Sequence, residues 1–325
     1  MPCVSIEKET IITTPEGVRE MSHRILKAST DILTINYESL EGELLPKLQE
    51  FQRENNSNSN SSTNGDMSFE NELGLRLFLD VVNFCYQDPY SGREYIYTDK
   101  TGQPIRRTYG LTTAMKESGI NWGDISEVSK LAPENWAKTI QLDKNDGFYL
   151  GEERGKRIKG FATQLLDRGF YNVSEYIYFY QHDSAKILSD FAQNGFFNDD
   201  FLKRAQLAVR DLDTTLKKRF NEQLFGTEKL TVMADYRLPQ LMYNFGTIIL
   251  SNSLREKLEN KKIIMSGSRE ELALRAATIT VGEELSKLMN ITEADVDLLL
   301  WMLAVKMGKS NELFIPHMLV PTDKY

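Results

Sequence analysis

LTVMADYRLPQ, from Leu230 to Gln240, changes character at its centre. An apolar run ends at one carboxylate, Asp235, and a Tyr-Arg pair then leads into Pro239. Beyond the proline, Leu241, Met242, Phe245, Ile248 and Ile249 recur at helical spacing. Proline suits the first helical position, where its missing N–H has no partner to lose. The stretch therefore predicts a tight connection and then a long helix from about Leu238, with Asp235 just ahead of it. The positive end of a helix dipole favours an ionised carboxylate there. Two roles are open to Asp235. It binds backbone N–H groups at the helix entry, or it is kept charged, partly shielded by Met233 and Tyr236, to stabilise a developing cation.

The helical period extends to both sides. Phe201 to Phe220 places Leu202, Ala205, Val209, Leu212 and Leu216 on one stripe, flanked by Lys203 and Arg204. Such a pair is usually solvated surface; facing a pocket, it holds a phosphate. Glu152 to Leu166 puts Ile158, Phe161 and Leu165 on one face, and Gly169 follows as a stop. Thr14-Pro15-Glu16 starts an earlier helix through Val18, Met21, Ile25 and Leu26. A second carries Leu40, Leu44, Leu45, Leu48 and Phe51, and Pro46 should interrupt it. From Ser68 a third runs through Leu73, Leu77, Leu79, Val81 and Val82 into Asn83-Phe84-Cys85-Tyr86. Asn83 is there either a buried hydrogen-bonding group or a ligand contact.

Towards the C-terminus, Ser268 and Glu271 form a capping box, and Arg275 is placed to pair with Glu271. Thr292 begins another helix on which Asp297 and Trp301 share a face. That face is a core tryptophan beside a surface aspartate, or a seat for a planar, hydrogen-bond-donating ring. Glu94–Thr98 and Ile105–Tyr109 flank Asp99-Lys100-Thr101-Gly102, which reads as a hairpin. The sequence predicts a mainly α, single-domain chain over residues 1–325 with a small β-hairpin. Asn55 to Asp66, NNSNSNSSTNGD, has nothing to bury and predicts a disordered insertion. There is no internal repeat, glycine-rich phosphate loop or nucleophile elbow.

Composition narrows the function classes. The formal charge is −8 without a long basic run, which argues against a nucleic-acid partner bound by counterion release. The two cysteines, Cys3 and Cys85, make neither a disulfide framework nor a metal spacing. His23, His182 and His317 lie far apart. The start, MPCVSIEKE, has no apolar signal region, and the apolar run Leu298–Val305 is too short to span a bilayer. These readings predict a soluble, cytoplasmic protein with no membrane partner.

The ordered set of motifs resembles the queuosine salvage protein family, the queuosine 5′-phosphate N-glycosylase/hydrolases. ADYR-x-PQ in LTVMADYRLPQ is the family's most distinctive signature. In the same order along the chain come Asn83-Phe84, EER from Glu152, FLKRAQ from Phe201, ELALR from Glu271, Asp297 with Trp301, and an Ile-Pro-His before a final tyrosine. The resemblance runs from about Asn83 to Tyr325. It implies an all-helical fold similar to helix-hairpin-helix DNA glycosylases. It implies hydrolysis of the N-glycosidic bond of queuosine 5′-monophosphate to queuine and ribose 5-phosphate, for salvage into tRNA modification. The partner is then a small-molecule substrate, and no metal or organic cofactor is needed. Asp235 takes the catalytic position. Met233 and Asp297 contact the base with Trp301 stacking nearby, and Ala234, Tyr236, Met302 and Asn83 complete the binding set. Lys203 and Arg204 are the candidates for the 5′-phosphate.

The chain departs from the family pattern at three places. Met302 stands where a second aspartate is usual, Met233 where phenylalanine is common, and Pro316-His317-Met318 for Phe-His-Arg. Met302 leaves open an N-glycosidase for another modified nucleotide. A non-catalytic helical protein that binds nucleotides or nucleic acid is the alternative from another class. The implied chemistry passes through an oxocarbenium-like state, which an ionised Asp235 would stabilise while handling the attacking water. A 7-deaza base has no N7 to protonate, so the leaving group needs activation elsewhere, and the sequence reading names no acid for it.

Overall fold

Helix entries fall where capping side chains stand. In the computed structural model, which describes residues 11–57, 67–145 and 148–325, Thr14 Oγ1 accepts the Gly17 N–H at 3.1 Å and starts α1 (Pro15–Lys27). The chain continues through β1 (Leu33–Ile35) and α2 (Tyr37–Ser39) into a π turn (Leu40–Leu44) and α3 (Leu45–Ser57). Pro46 therefore does not break this segment. A π turn places the wider i to i+5 bond, Leu45 N–H to Leu40 C=O, just ahead of the residue that has no N–H. Of the predicted insertion, Asn55–Ser57 belong to α3, and residues 58–66 lie outside the described residues.

Ser68 caps α4 (Phe69–Val81). The hairpin follows as β2 (Ile96–Thr98) and β3 (Pro104–Arg106), antiparallel with Tyr97 opposite Ile105. Asp99 Oδ1 closes its turn by accepting N–H bonds from Thr101 and Gln103, both at 2.8 Å. The second strand is shorter than its sequence suggests, because α5 (Arg107–Glu117) begins where Thr108 and Tyr109 should have extended it. Next come α6 (Ile125–Val128), α7 (Pro133–Thr139), α8 (Gly151–Asp167), α9 (Val173–Phe179), α10 (Ser184–Gln193) and α11 (Lys203–Phe220).

The region after Asp235 corrects the sequence reading. α12 spans Arg237–Asn244, so Pro239 is its third residue and the helix is short. Gly246, at φ 74, turns the chain into β4 (Ile248–Leu250). β4 pairs antiparallel with β1, Leu33 opposite Leu250, a second strand pair that the helical spacing of Ile248 and Ile249 concealed. α13 (Asn252–Glu259), α14 (Arg269–Met289) and α15 (Glu293–Lys309) complete the order. The predicted pair forms on α14, Arg275 Nη1 meeting Glu271 Oε1 at 3.3 Å.

Three packings position the site. α4 lies along α11, α1 along α14, and α12 against both α14 and α15. The α4 contact with the 122–123 backbone is close enough that a Cβ on Gly74 would come within 1.9 Å of the Trp122 carbonyl oxygen. Aromatic rings carry the core onward from α4, Phe78 meeting Phe161 at 6.1 Å and Phe191 stacking on Phe197 at 4.6 Å. Among the described residues, no helix is long and apolar enough to cross a membrane.

Candidate active site

The segment Leu230–Tyr236 is irregular backbone buried between helices, so its polar groups need partners from elsewhere. Three helices supply them. Gln206 of α11 accepts the Thr231 N–H at 2.7 Å and returns an N–H to Thr231 Oγ1 at 2.8 Å. Asp297 of α15 accepts the Met233 N–H at 2.9 Å. Arg275 of α14 donates from Nε to the Ala234 carbonyl at 3.0 Å. Gly282, also on α14, lets that helix approach; a Cβ there would lie 2.1 Å from Val232 Cγ2. Arg275 is itself fixed by bidentate bonds to Asp199 at 2.7 and 2.6 Å, with the Phe201 and Tyr325 rings on its faces.

Asp235 stands at the end of this braced segment. Its Oδ1 accepts the N–H groups of Arg237 and Leu238 at 2.7 and 3.1 Å, which caps α12. The other oxygen takes neither bond, and the residue is half-buried. The helix-entry role is thus present and leaves one oxygen for chemistry. Burial raises the Asp235 carboxyl above its ordinary range, opposed by Lys203, the Leu238 N–H, Arg275 and Arg107.

Lys203 and Arg204 are not solvated surface. Both are buried, because α11 begins inside the packing against α4. The Arg204 guanidinium donates to the carbonyls of Val81 and Lys324, ordering the end of α4 and the C-terminal segment. With Nε and Nη1 used in this way, Arg204 has a structural task. Lys203 differs. Among the described residues its Nζ makes one long bond, 3.4 Å to the Asn83 carbonyl. Burial lowers its pKa against the opposing pull of Asp235, Asp80 and Asp297.

Asp297 is buried rather than at the surface, and Arg210 Nη1 pairs with it at 2.6 Å. Burial raises its pKa; Arg210 and the Met233 N–H oppose, and Asp235 adds to the rise. Trp301 and Met302 are half-buried, and the exposed Tyr109 ring stands 6.1 Å from Trp301. Met233 and Ala234 are buried. Asn83 is also buried, giving Nδ2 to Asp80 at 3.1 Å and receiving Tyr86 OH at 3.0 Å. The Tyr236 ring lies against His317, tilted by 39° with centroids 4.7 Å apart. His317 is held neutral, pushed down to about 4 by burial. The structure thus connects Asp235, Met233, Ala234, Asp297, Lys203 and Asn83 through bonds and mutual electrostatic reach. Trp301 and Met302 follow Asp297 on α15, and Tyr236 follows Asp235 in the chain.

Five neighbours were absent from the sequence reading of the site: Asp80, Arg107, Arg210, His317 and, as an anchor, Arg275. Two had a signal. Arg210 lies seven residues after Lys203, two turns along the same face, and Asp80 lies one turn before Asn83. A surface cavity of about 400 Å³ between Ile120, Asp124, Lys130 and Asn135 shares no residue with the cluster. Among the described residues, no three His, Cys, Asp or Glu side chains gather to hold a metal ion.

A family model described as queuosine salvage protein matches residues 68–321. The match begins at Ser68, ahead of Asn83, and so includes all of α4. A Sphaerobacter thermophilus protein named queuosine 5′-phosphate N-glycosylase/hydrolase is 29% identical over 245 residues, 69% of this chain and 73% of that one. A protein of the same name from Dictyostelium discoideum is 28% identical over 241 residues, 69% of this chain and 70% of its own.

Proposed function

This chain belongs to the queuosine salvage protein family, and on that premise we propose that it hydrolyses the N-glycosidic bond of queuosine 5′-monophosphate. The products are queuine and ribose 5-phosphate, which feed queuine salvage into tRNA modification. The observation that supports the reading best is Asp235. One oxygen is immobilised by two backbone N–H groups, and the other is left for the substrate in a segment that three helices brace. Immobile charge aimed at a developing cation is what glycosyl cleavage requires, because no reorganisation is needed as the bond breaks.

Asp235 stabilises the oxocarbenium-like centre and takes the proton of the attacking water. Asp297, oriented by Arg210 and by the Met233 N–H, holds the hydrogen-bond-donating edge of the base, with Trp301 beside the ring. Lys203 remains the candidate for the 5′-phosphate. The reading extends to a single domain over residues 1–325, a helix arrangement akin to the helix-hairpin-helix DNA glycosylases, and a cytoplasmic location. The partner is a small molecule rather than nucleic acid, which the formal charge of −8 favours. The test is incubation with queuosine 5′-monophosphate and chromatographic identification of the products. Release of queuine with ribose 5-phosphate is the expected result. Tight binding without release would favour a non-catalytic nucleotide-binding protein.

A further inference from the structure

One buried carboxyl has no part in the scheme above. Asp80 lies in the last turn of α4 and is fully buried. Oδ1 accepts the Asn83 amide at 3.1 Å; Oδ2 is buried with no hydrogen-bond partner among the described residues. No cation lies within ion-pairing distance of Asp80 among the described residues. An anion in such a place is strongly disfavoured, whereas the neutral acid is tolerated and has one O–H to give.

The placement of Asp80 relates it to both ends of the site. α4 packs along α11, where Lys203 and Arg210 sit two turns, roughly 10 Å, apart. Both count Asp80 among their electrostatic neighbours. Lys203 leads to Asp235, and Arg210 holds Asp297. Lys203 also bonds the carbonyl of Asn83, whose amide holds Asp80. Asp80 is therefore linked through Asn83 to Lys203, which neighbours Asp235, and lies within electrostatic reach of Arg210, which holds Asp297.

We propose that Asp80 is the general acid of the reaction, giving its proton to the glycosidic nitrogen of the departing base. The proposal rests on the hydrolase reading above. The C1′–N bond breaks and its electron pair goes to nitrogen, which takes the Asp80 proton. Water forms the new C1′–O bond and gives its proton to Asp235. Transfer of that proton from Asp235 back to Asp80 resets the enzyme, so water is the only co-reactant. Such an acid answers a need of the substrate, whose base has no N7 at which to be activated.

Burial pushes the Asp80 carboxyl up to about 8, with Asp211 adding to the rise and Asn83, Lys203 and Arg76 opposing it. The other charged or titratable groups around it are Arg210, Arg204 near the Asp80 carbonyl, Arg154 of α8 at the Val82 carbonyl, and Tyr86 across Asn83. A carboxyl held protonated near neutral pH by burial is a competent donor.

Two substrates test this: queuosine 5′-monophosphate and the 5-phosphate of p-nitrophenyl β-ribofuranoside, whose leaving group departs without protonation. Asp80→Asn replaces a neutral acid by a neutral amide of the same size. Turnover of queuosine 5′-monophosphate should fall about 10²–10⁴-fold, and turnover of the nitrophenyl substrate should fall less by a factor of roughly ten or more. The parent protein supplies a second measurement that no folding defect can blur. Its rate on queuosine 5′-monophosphate should decline as pH rises through about 8, and the nitrophenyl rate should not. Equal losses on both substrates, or the same alkaline decline on both, would overturn the Asp80 assignment alone. A parent protein inactive on queuosine 5′-monophosphate would overturn the functional reading and this proposal with it.

Discussion

Replacing Asp235 by Asn separates the two jobs of that side chain. The capping job survives, because an amide oxygen can accept the Arg237 and Leu238 N–H bonds that Oδ1 now receives at 2.7 and 3.1 Å. Asn and Asp rank alike at helix entries, so the cap should change by no more than about 0.5 kcal/mol, or about 1–2 °C in melting temperature. The charge works in the opposite direction. Burial raises the Asp235 carboxyl above its ordinary 3.8 in spite of Lys203 and the Leu238 N–H. Stability from such a group is present below the unfolded value and is lost as pH rises through the folded one. At pH 7 the ionised carboxylate therefore costs the fold, and the neutral amide removes that cost. Asp235→Asn should melt level with the parent or above it at pH 7, with any gain shrinking towards pH 4. Activity should fall by about 3–4 kcal/mol of barrier, a hundredfold to thousandfold, and further if the same group takes the water proton. The assay is queuine release from queuosine 5′-monophosphate, with melting curves on the same sample. Turnover within about tenfold of the parent, a barrier change under roughly 1.4 kcal/mol, would remove Asp235 from the mechanism. A fall of more than about 5 °C, over 1 kcal/mol at this size, would refute the burial argument and leave the cap as the residue's main task.

The other expectations follow from the same contacts. Asp297→Asn keeps an acceptor for the Met233 N–H but strands the Arg210 cation; queuine affinity measured by calorimetry should fall about tenfold to a hundredfold. Arg204→Ala should destabilise by about 3–5 kcal/mol in denaturant titration, since buried carbonyls at the end of α4 lose their donor. Lys203→Met should fold and should narrow the preference for the 5′-monophosphate over the nucleoside; equal kcat/KM on the two substrates in the parent would remove the phosphate assignment. Gly282→Ala drives a methyl into Val232, so a loss of about 1–3 kcal/mol should come with a fall in kcat as Asp235 shifts. The acid limb of kcat/KM should lie above the ordinary aspartate value of 3.8, because activity appears only as the raised Asp235 carboxyl ionises.

The helices and the hairpin are legible in sequence because their signals are local. Ser268 and Glu271 mark the start of α14, and Asp99 with Gly102 marks the β2–β3 turn. β4 is not legible, because its partner β1 lies at the other end of the chain and Ile248–Leu250 fits a helical period as well as a strand. Buried charges fail for a related reason. Period counting sends Lys203, Arg204 and Asp297 to the surface, and passes over Asp80 within an apolar helix. Three are buried because a partner remote in sequence meets them: the Val81 carbonyl for Arg204, Arg210 for Asp297, the Asn83 carbonyl for Lys203; Asp80 is held by the Asn83 amide one turn on.

The fold also explains why scattered motifs belong together. FLKRAQ contains Gln206, which holds Thr231. ELALR contains Arg275, which holds Ala234, and Asp297 holds Met233. EER contains Arg154, whose guanidinium binds the carbonyls of Val82, Phe84 and Cys85 on either side of Asn83. Each of these four thus contributes an anchor, either to the segment that carries the aspartate or to the turn at the end of α4. A one-dimensional reading sees charged residues at unrelated positions. In three dimensions they supply the donors and acceptors that an irregular buried backbone lacks, and a carboxylate at the end of that backbone is held still because every residue from Met233 to Asp235 is hydrogen-bonded.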